Sequence, residues 1–216
     1  MIHVDMPQMP HAFRDRVEIP GYNFLASCPN PSSKDWTNHN YWTRITSELY
    51  QSLGGICMYC ASFTPRYSAG RCGEVSIDHA IPKSQGNHYQ AYEWNNFRLA
   101  RVRLNNLKGD RILADPCVIN DGWFQINFNS FYIIANPCLS VENMDLVNLT
   151  IDVLRLNADS KYVDERVDAT LKYVKKEFDF DSLTKFYPFI AKEMIRQDFD
   201  NNYLPSFLSC SEEQNE

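Results

Sequence analysis

An aspartate directly followed by a histidine, Asp78-His79, closes the short run GEVSIDH, and Asn96, Asn105 and Lys108 follow it. Hydrolysing a phosphodiester near neutral pH needs an activated water, a cation on the non-bridging and leaving oxygens, and a scaffold that fixes both. Adjacent Asp and His can serve two of these needs. The carboxylate binds a hard divalent cation, and the imidazole takes a proton from water at a pKa suited to pH 7. Alone, such a pair is more often a surface hydrogen bond than a site. Here Asp78-His79-Ala80-Ile81-Pro82-Lys83 is followed by Trp94-Asn95-Asn96-Phe97 and then by Asn105-Asn106-Leu107-Lys108-Gly109, so several polar groups recur in order.

The elements that must position these groups can be read from periodicity. GEVSIDH alternates as a strand, with Val75 and Ile77 pointing one way. Residues 80–96 are polar and contain Pro and Gly, as a loop does. FRLARVRLNNLK, residues 97–108, reads as one helix stopped by Gly109. On that helix Arg101, Asn105 and Lys108 fall at i, i+4 and i+7 and share a face able to hold metal and phosphate together. Arg98, Arg103 and Arg111 complete a cluster of five basic residues against one acid, Asp110, and phosphate contact is expected of it.

Upstream, YWTRITSELYQSL carries Trp42, Ile45, Leu49 and Leu53 at helical spacing and ends at Gly54-Gly55. The first 40 residues hold Pro7, Pro10, Pro20, Pro29 and Pro31 with little apolar periodicity, and read as an extended arm. Downstream, GWFQINFNSFYIIANP reads as a β-hairpin turning near Asn129-Ser130. Three helical stretches follow, at 141–156, 162–178 and 183–199, before a frayed acidic tail. The expected class is α+β, divided into an arm (1–40), a site-bearing region (41–115) and a hairpin-plus-helices region (116–216).

With DH-x-x-P, an Asn at 96, a second Asn nine residues on and then Lys, residues 57–109 resemble the HNH endonuclease family. The resemblance covers a quarter of the chain and implies a ββα-metal finger set between the N-terminal helix or arm and the C-terminal region. It further implies that His79 is the general base, that Asp78 and Asn105 bind the catalytic metal, and that Asn96 braces the loop that orients His79. Arg98, Arg101 and Lys108 would then meet nucleic acid. The last motif position is Asn, whose neutral hard oxygen suits Mg²⁺ or Mn²⁺ better than Zn²⁺. Many members clamp a structural zinc with two CxxC pairs. Cys57 and Cys60 match the first, but Arg101 and Leu104 stand at the second, which rules out a four-cysteine site there. Leu104 is instead expected in the core.

With its CxxC at Cys57 and Cys60, the turn Pro82-Lys83-Ser84 and the segment Trp94-x-Asn96-Phe97 in a chain of this size, the protein also resembles nucleases of bacterial anti-phage systems of the Septu or retron-associated type, in which an ATPase or reverse-transcriptase partner controls the nuclease. The reading that follows is a DNA endonuclease with a protein partner. The competing reading is an inactive finger that serves as an interaction module, and an RNA nuclease would use the same chemistry.

Composition agrees with a folded domain protein: 44% hydrophobic and 22% charged over 216 residues. The net charge of −6 is unevenly spread. Residues 1–138 carry 12 Lys/Arg against 11 Asp/Glu, and residues 139–216 carry 9 against 16. The acidic C-terminal part would repel a phosphate backbone, so a protein partner is expected there. Neither a 20-residue apolar span nor an apolar leader core is apparent, which predicts a cytoplasmic protein without membrane contact.

Overall fold

A computed structural model describes residues 1–68, 71–72 and 74–199. The chain is mixed helix and strand, an α+β protein, in two compact units, Met1–Asn120 and Asp121–Glu216.

In the first unit, a π-helical turn (Arg14–Glu18) runs into α1 (Ile19–Ser27), and α2 (Ser33–Asn38) follows behind a capping box of Ser32 and Asp35. This corrects the reading of residues 1–40 as a separate extended arm. Pro20 lies in the first turn of α1. The Arg16 carbonyl, which an N–H at position 20 would have met, accepts from Arg44 Nη1 at 3.1 Å. Residues 1–12 lack regular structure. They cross the same unit, with Val4 N–H bonded to the Pro116 carbonyl and the Trp94 indole N–H to the Pro7 carbonyl.

The residues from 41 form a 3₁₀ segment (Tyr41–Ile45) and then α3 (Thr46–Ser52), burying Trp42, Ile45 and Leu49 as their spacing predicts. A short pair, β1 (Tyr67–Ser68) and β2 (Arg71–Cys72), precedes β3 (Val75–His79). Strand β3 pairs antiparallel with β4 (Phe97–Arg101), with Asp78 opposite Arg98 and His79 opposite Phe97. Helix α4 (Val102–Lys108) follows directly and packs on both strands. The expected single helix over 97–108 is therefore half strand. Every residue of β4 is buried, and a strand covered on both faces lacks the apolar-polar alternation that would mark it in sequence.

The core of this unit joins Phe13, Val17, Leu25, Ile45, Leu49, Tyr92 and Phe97. Helix α1 approaches Tyr92 so closely that a Cβ on Gly21 would lie 2.2 Å from the ring. Gly21→Ala should accordingly cost about 1–3 kcal/mol through overpacking, read as a fall in urea midpoint at constant m-value. An unchanged midpoint would mean that α1 is not seated on Tyr92.

In the second unit, β5 (Phe124–Asn127) and β6 (Tyr132–Ala135) form the expected hairpin around Asn129-Ser130. A lone hairpin is marginal in water, and here side chains extend it on both edges. The Asn157 amide both accepts from and donates to the Ile133 backbone at 2.8 Å. Glu193 accepts the Ile126 N–H at 2.7 Å, and Gln197 donates to the Ile126 carbonyl at 2.8 Å. These residues come with α5 (Val141–Val153), α6 (Ser160–Val174), α7 (Phe180–Phe186) and α8 (Pro188–Arg196). The third expected helix is two, because Pro188 forces the preceding Tyr187 out of helical conformation. The expected frayed tail lies outside the described residues. Among the described residues, no helix is long and apolar enough to cross a membrane.

Candidate active site

Successive side chains on a strand point to opposite faces, so Asp78 and His79 enter different surroundings and share a cavity only because β3 ends there. That cavity, about 260 Å³, is lined by Asp78, His79, Lys83, Asn105, Asn106 and Asp110 among others.

His79 is 4% exposed, set edge-on against Trp42 and Phe97. Its Nε2 lies 3.1 Å from the Ala91 carbonyl. A carbonyl only accepts, so Nε2 carries the proton and Nδ1 the lone pair. Burial, followed by the nearby Lys83 ammonium, holds the His79 pKa down to about 3, against the Ala91 bond that raises it. The imidazole is therefore neutral at pH 7.

Asn96 stays inside the loop it was expected to brace. Its Oδ1 accepts the Ile81 N–H at 2.7 Å, and its Nδ2 donates to the carbonyls of Ile81 and Gln90 at 3.1 and 2.9 Å. Those bonds clamp together the two ends of the segment that supplies Ala91 to His79. Asn96 is thus a positioning residue, remote from any reacting atom.

Asp78 is 4% exposed and accepts from the Tyr59 hydroxyl and from Lys108 Nζ, the latter at 3.3 Å. Burial pushes its carboxyl above the usual range, while the Lys108 charge and the two hydrogen bonds pull it back. Burial, and next the Asp78 charge, also push the Tyr59 phenol well up, which keeps it a donor. Lys108 donates in addition to the His79 carbonyl at 2.7 Å and is 1% exposed.

The expected phosphate-binding trio is corrected by these contacts. Lys108 is spent on Asp78. Arg98 grips both carboxylate oxygens of Asp115 at 2.6 Å and two backbone carbonyls, and is 3% exposed. Arg101 donates to Thr64 Oγ1 at 2.8 Å and to the Phe63 carbonyl at 3.1 Å. The reason is topological: with residues 97–101 in a strand between β3 and other elements, their side chains end inside the unit. Lys83, which sequence reading left without a role, is instead the cation on the cavity wall, and burial lowers its pKa. Asp110 and Asn106 also line the cavity and were missed, although both adjoin the motif.

The donor set suits a hard cation. Asn105 Nδ2 donates to Ser76 Oγ and the Ile77 carbonyl at 3.0 and 3.3 Å, which fixes the amide and leaves Oδ1 with no partner among the described residues. The Asp78 carboxylate, with about four acceptor sites, is only partly used by Tyr59 and Lys108. Asp110 adds a second carboxylate to the same cavity. Oxygen ligands with room for water match Mg²⁺ or Mn²⁺. Among the described residues, no group of three or more His, Cys, Asp and Glu is placed to hold a metal.

The Cys57–Cys60 turn rests against β4. Met58 N–H bonds to the Leu99 carbonyl at 2.8 Å, and Cys57 Sγ accepts the Arg101 N–H at 3.3 Å. Burial and a hydrogen bond with Cys60 push the Cys57 thiol well up. Leu104, at the position of a second cysteine pair, is fully buried as expected. Compared with known proteins, the chain matches no family model and no curated protein.

Proposed function

We propose that the chain is a metal-dependent DNA endonuclease, with β3, β4 and α4 forming a ββα-metal finger of the HNH type whose last motif residue is Asn. The observation that supports it is the meeting, in one cavity, of a neutral imidazole with an open Nδ1 and two oxygen ligands, Asp78 and Asn105.

In the hydrolysis, water attacks phosphorus, its proton passes to His79 Nδ1, and the P–O bond to the leaving oxygen breaks. That oxygen then takes a proton from solvent. A base with so low a pKa accepts a proton poorly in the closed cavity, but a phosphate anion brought beside it favours the imidazolium. The Ala91 carbonyl holds the ring in the required tautomer. Mg²⁺ or Mn²⁺ bound by Asp78 and Asn105 would supply positive charge against the oxygens that gain it in the transition state.

Supercoiled plasmid, linear duplex and a single-stranded circle, each with Mg²⁺, Mn²⁺ or EDTA, test the reading. Metal-dependent cutting is expected. Cutting that persists in EDTA overturns the metal's role, and no cutting of any substrate, even with a native partner present, overturns the reading.

Lys83 takes over the phosphate role first assigned to Lys108. Lys83→Ala should reduce the slope of log binding constant against log salt by about one contact, roughly 0.7–0.9. The same slope in variant and wild type would remove Lys83 from the interface.

One observation favours an inactive interaction module instead: Asp78 already has a buried ammonium and a phenol as partners. The open Asn105 oxygen and the neutral His79 have no use in such a module, so the enzyme is preferred. The second unit, with 9 Lys/Arg and 17 Asp/Glu, repels nucleic acid and would bind a protein partner such as an ATPase, as a nuclease effector of anti-phage defence requires.

A further inference from the structure

A second cavity of about 520 Å³ adjoins the first and shares Lys83 and Asp110 with it. Trp42 lies in the wall between them. One side of its ring meets His79 edge-on at 4.8 Å between centroids, and Lys83 Nζ lies 4.8 Å over the ring. The volume is in the range of small-ligand sites, about 300–1,000 Å³.

The lining combines flat aromatic surface with polar edges. Trp36 and His88, both half-buried, supply the first, with the buried Trp42 behind them under Lys83, and Ser33, Thr37, Asn40 and Thr43 the second. Thr37 and Thr43 donate their hydroxyl protons to the carbonyls of Ser33 and Asn40, so their oxygens remain as acceptors. His88 Nδ1 lies 3.0 Å from the Pro29 carbonyl, which leaves Nε2 as an acceptor. The Asn40 amide, exposed and without a partner among the described residues, offers a donor and an acceptor side by side. Aromatic faces with a paired donor and acceptor are the means by which proteins hold an unstacked base.

We propose that this cavity seats one unpaired base of the DNA strand whose phosphodiester lies at Asp78 and His79. The inference rests on the nuclease reading and extends it to a substrate class, single-stranded or locally melted DNA. A base stacked in a duplex cannot enter a cavity of this kind without being turned out of the helix.

The test uses the whole chain with a fluorescein-labelled 12-nucleotide DNA strand, its duplex, and a series in which one abasic residue is moved along the strand. Binding is read by anisotropy in EDTA and cleavage on gels with Mg²⁺. We expect tighter binding of the single strand than of the duplex, and an abasic residue at one position, adjacent to the cut, to weaken binding about tenfold. Thr37→Trp, which fills the cavity from an exposed position, should weaken binding similarly and erase the abasic effect. If wild type cleaves DNA but every abasic position binds alike, or Thr37→Trp binds as wild type, the base site is overturned and the nuclease stands. If one abasic position and Thr37→Trp both weaken binding but nothing is cut in any metal, even with a native partner present, the base site holds and the nuclease reading fails. No binding to any strand overturns the base site.

Discussion

His79→Ala should bind DNA as wild type does and cleave it about 10²–10⁴-fold more slowly, the contribution expected of a positioned general base. The expectation follows from the tautomer. With Nε2 donating to Ala91, only Nδ1 can accept a proton, and alanine removes it while leaving the proposed ligands Asp78 and Asn105 in place. Because His79 packs against Trp42 and Phe97, the variant also opens a void. That void makes the assignment separable from a folding defect. Added imidazole should enter it and restore part of the rate, and His79→Asn should fill more of it without restoring any. Undiminished cleavage by His79→Ala would refute the base assignment. Cleavage lost together with the circular-dichroism signature of the folded state would transfer the question to the imidazole rescue.

Lys108→Ala should destabilise the protein by about 3–5 kcal/mol, because it strands the buried Asp78 carboxylate. The Tyr59 hydroxyl alone cannot replace an ammonium that lies 3.3 Å from Asp78 and also donates to the His79 carbonyl. In a thermal scan this is a fall in Tm of about 10 °C. Asp78→Asn combined with Lys108→Met should recover much of the loss, since removing both charges of a buried pair is often nearly neutral. A Lys108→Ala protein that melts with wild type but loses DNA affinity would return Lys108 to the phosphate-binding role that its sequence position suggests. The two outcomes exclude each other, so one melting curve and one binding curve decide between them.

The two predictions meet at the end of β3, where one chemical group depends on the other's scaffold. Lys108 joins the side chain of residue 78 to the carbonyl of residue 79, and Asn96 joins both ends of the loop that carries Ala91. A small loss of that scaffold would therefore slow the reaction through misplacement of His79 before it unfolded the chain.

Local pattern alone determined the strand Val75–His79, the helical turn from Trp42 to Leu49, the hairpin turning at Asn129-Ser130 and the burial of Leu104. In each, the apolar period and the turn residues agree, and neighbours along the chain supply the deciding contacts. The ordered polar residues 78, 79, 96 and 105 were legible for the same reason, since their types imply chemistry before their positions are known. Tertiary structure decided the rest. FRLAR satisfies a helical spacing as well as a buried strand, and only the ladder to β3, 18 to 26 residues away, selects the strand. Pro20 reads as part of an extended arm, yet it sits in a helix's first turn, and Gly21 beside it makes room for Tyr92. Lys108, Arg98 and Arg101 look like a basic face until their partners Asp78, Asp115 and Thr64 are known, at separations of 17 to 37 residues. Whether a cation meets solvent or a buried carboxylate is a property of distant packing, which no local period records.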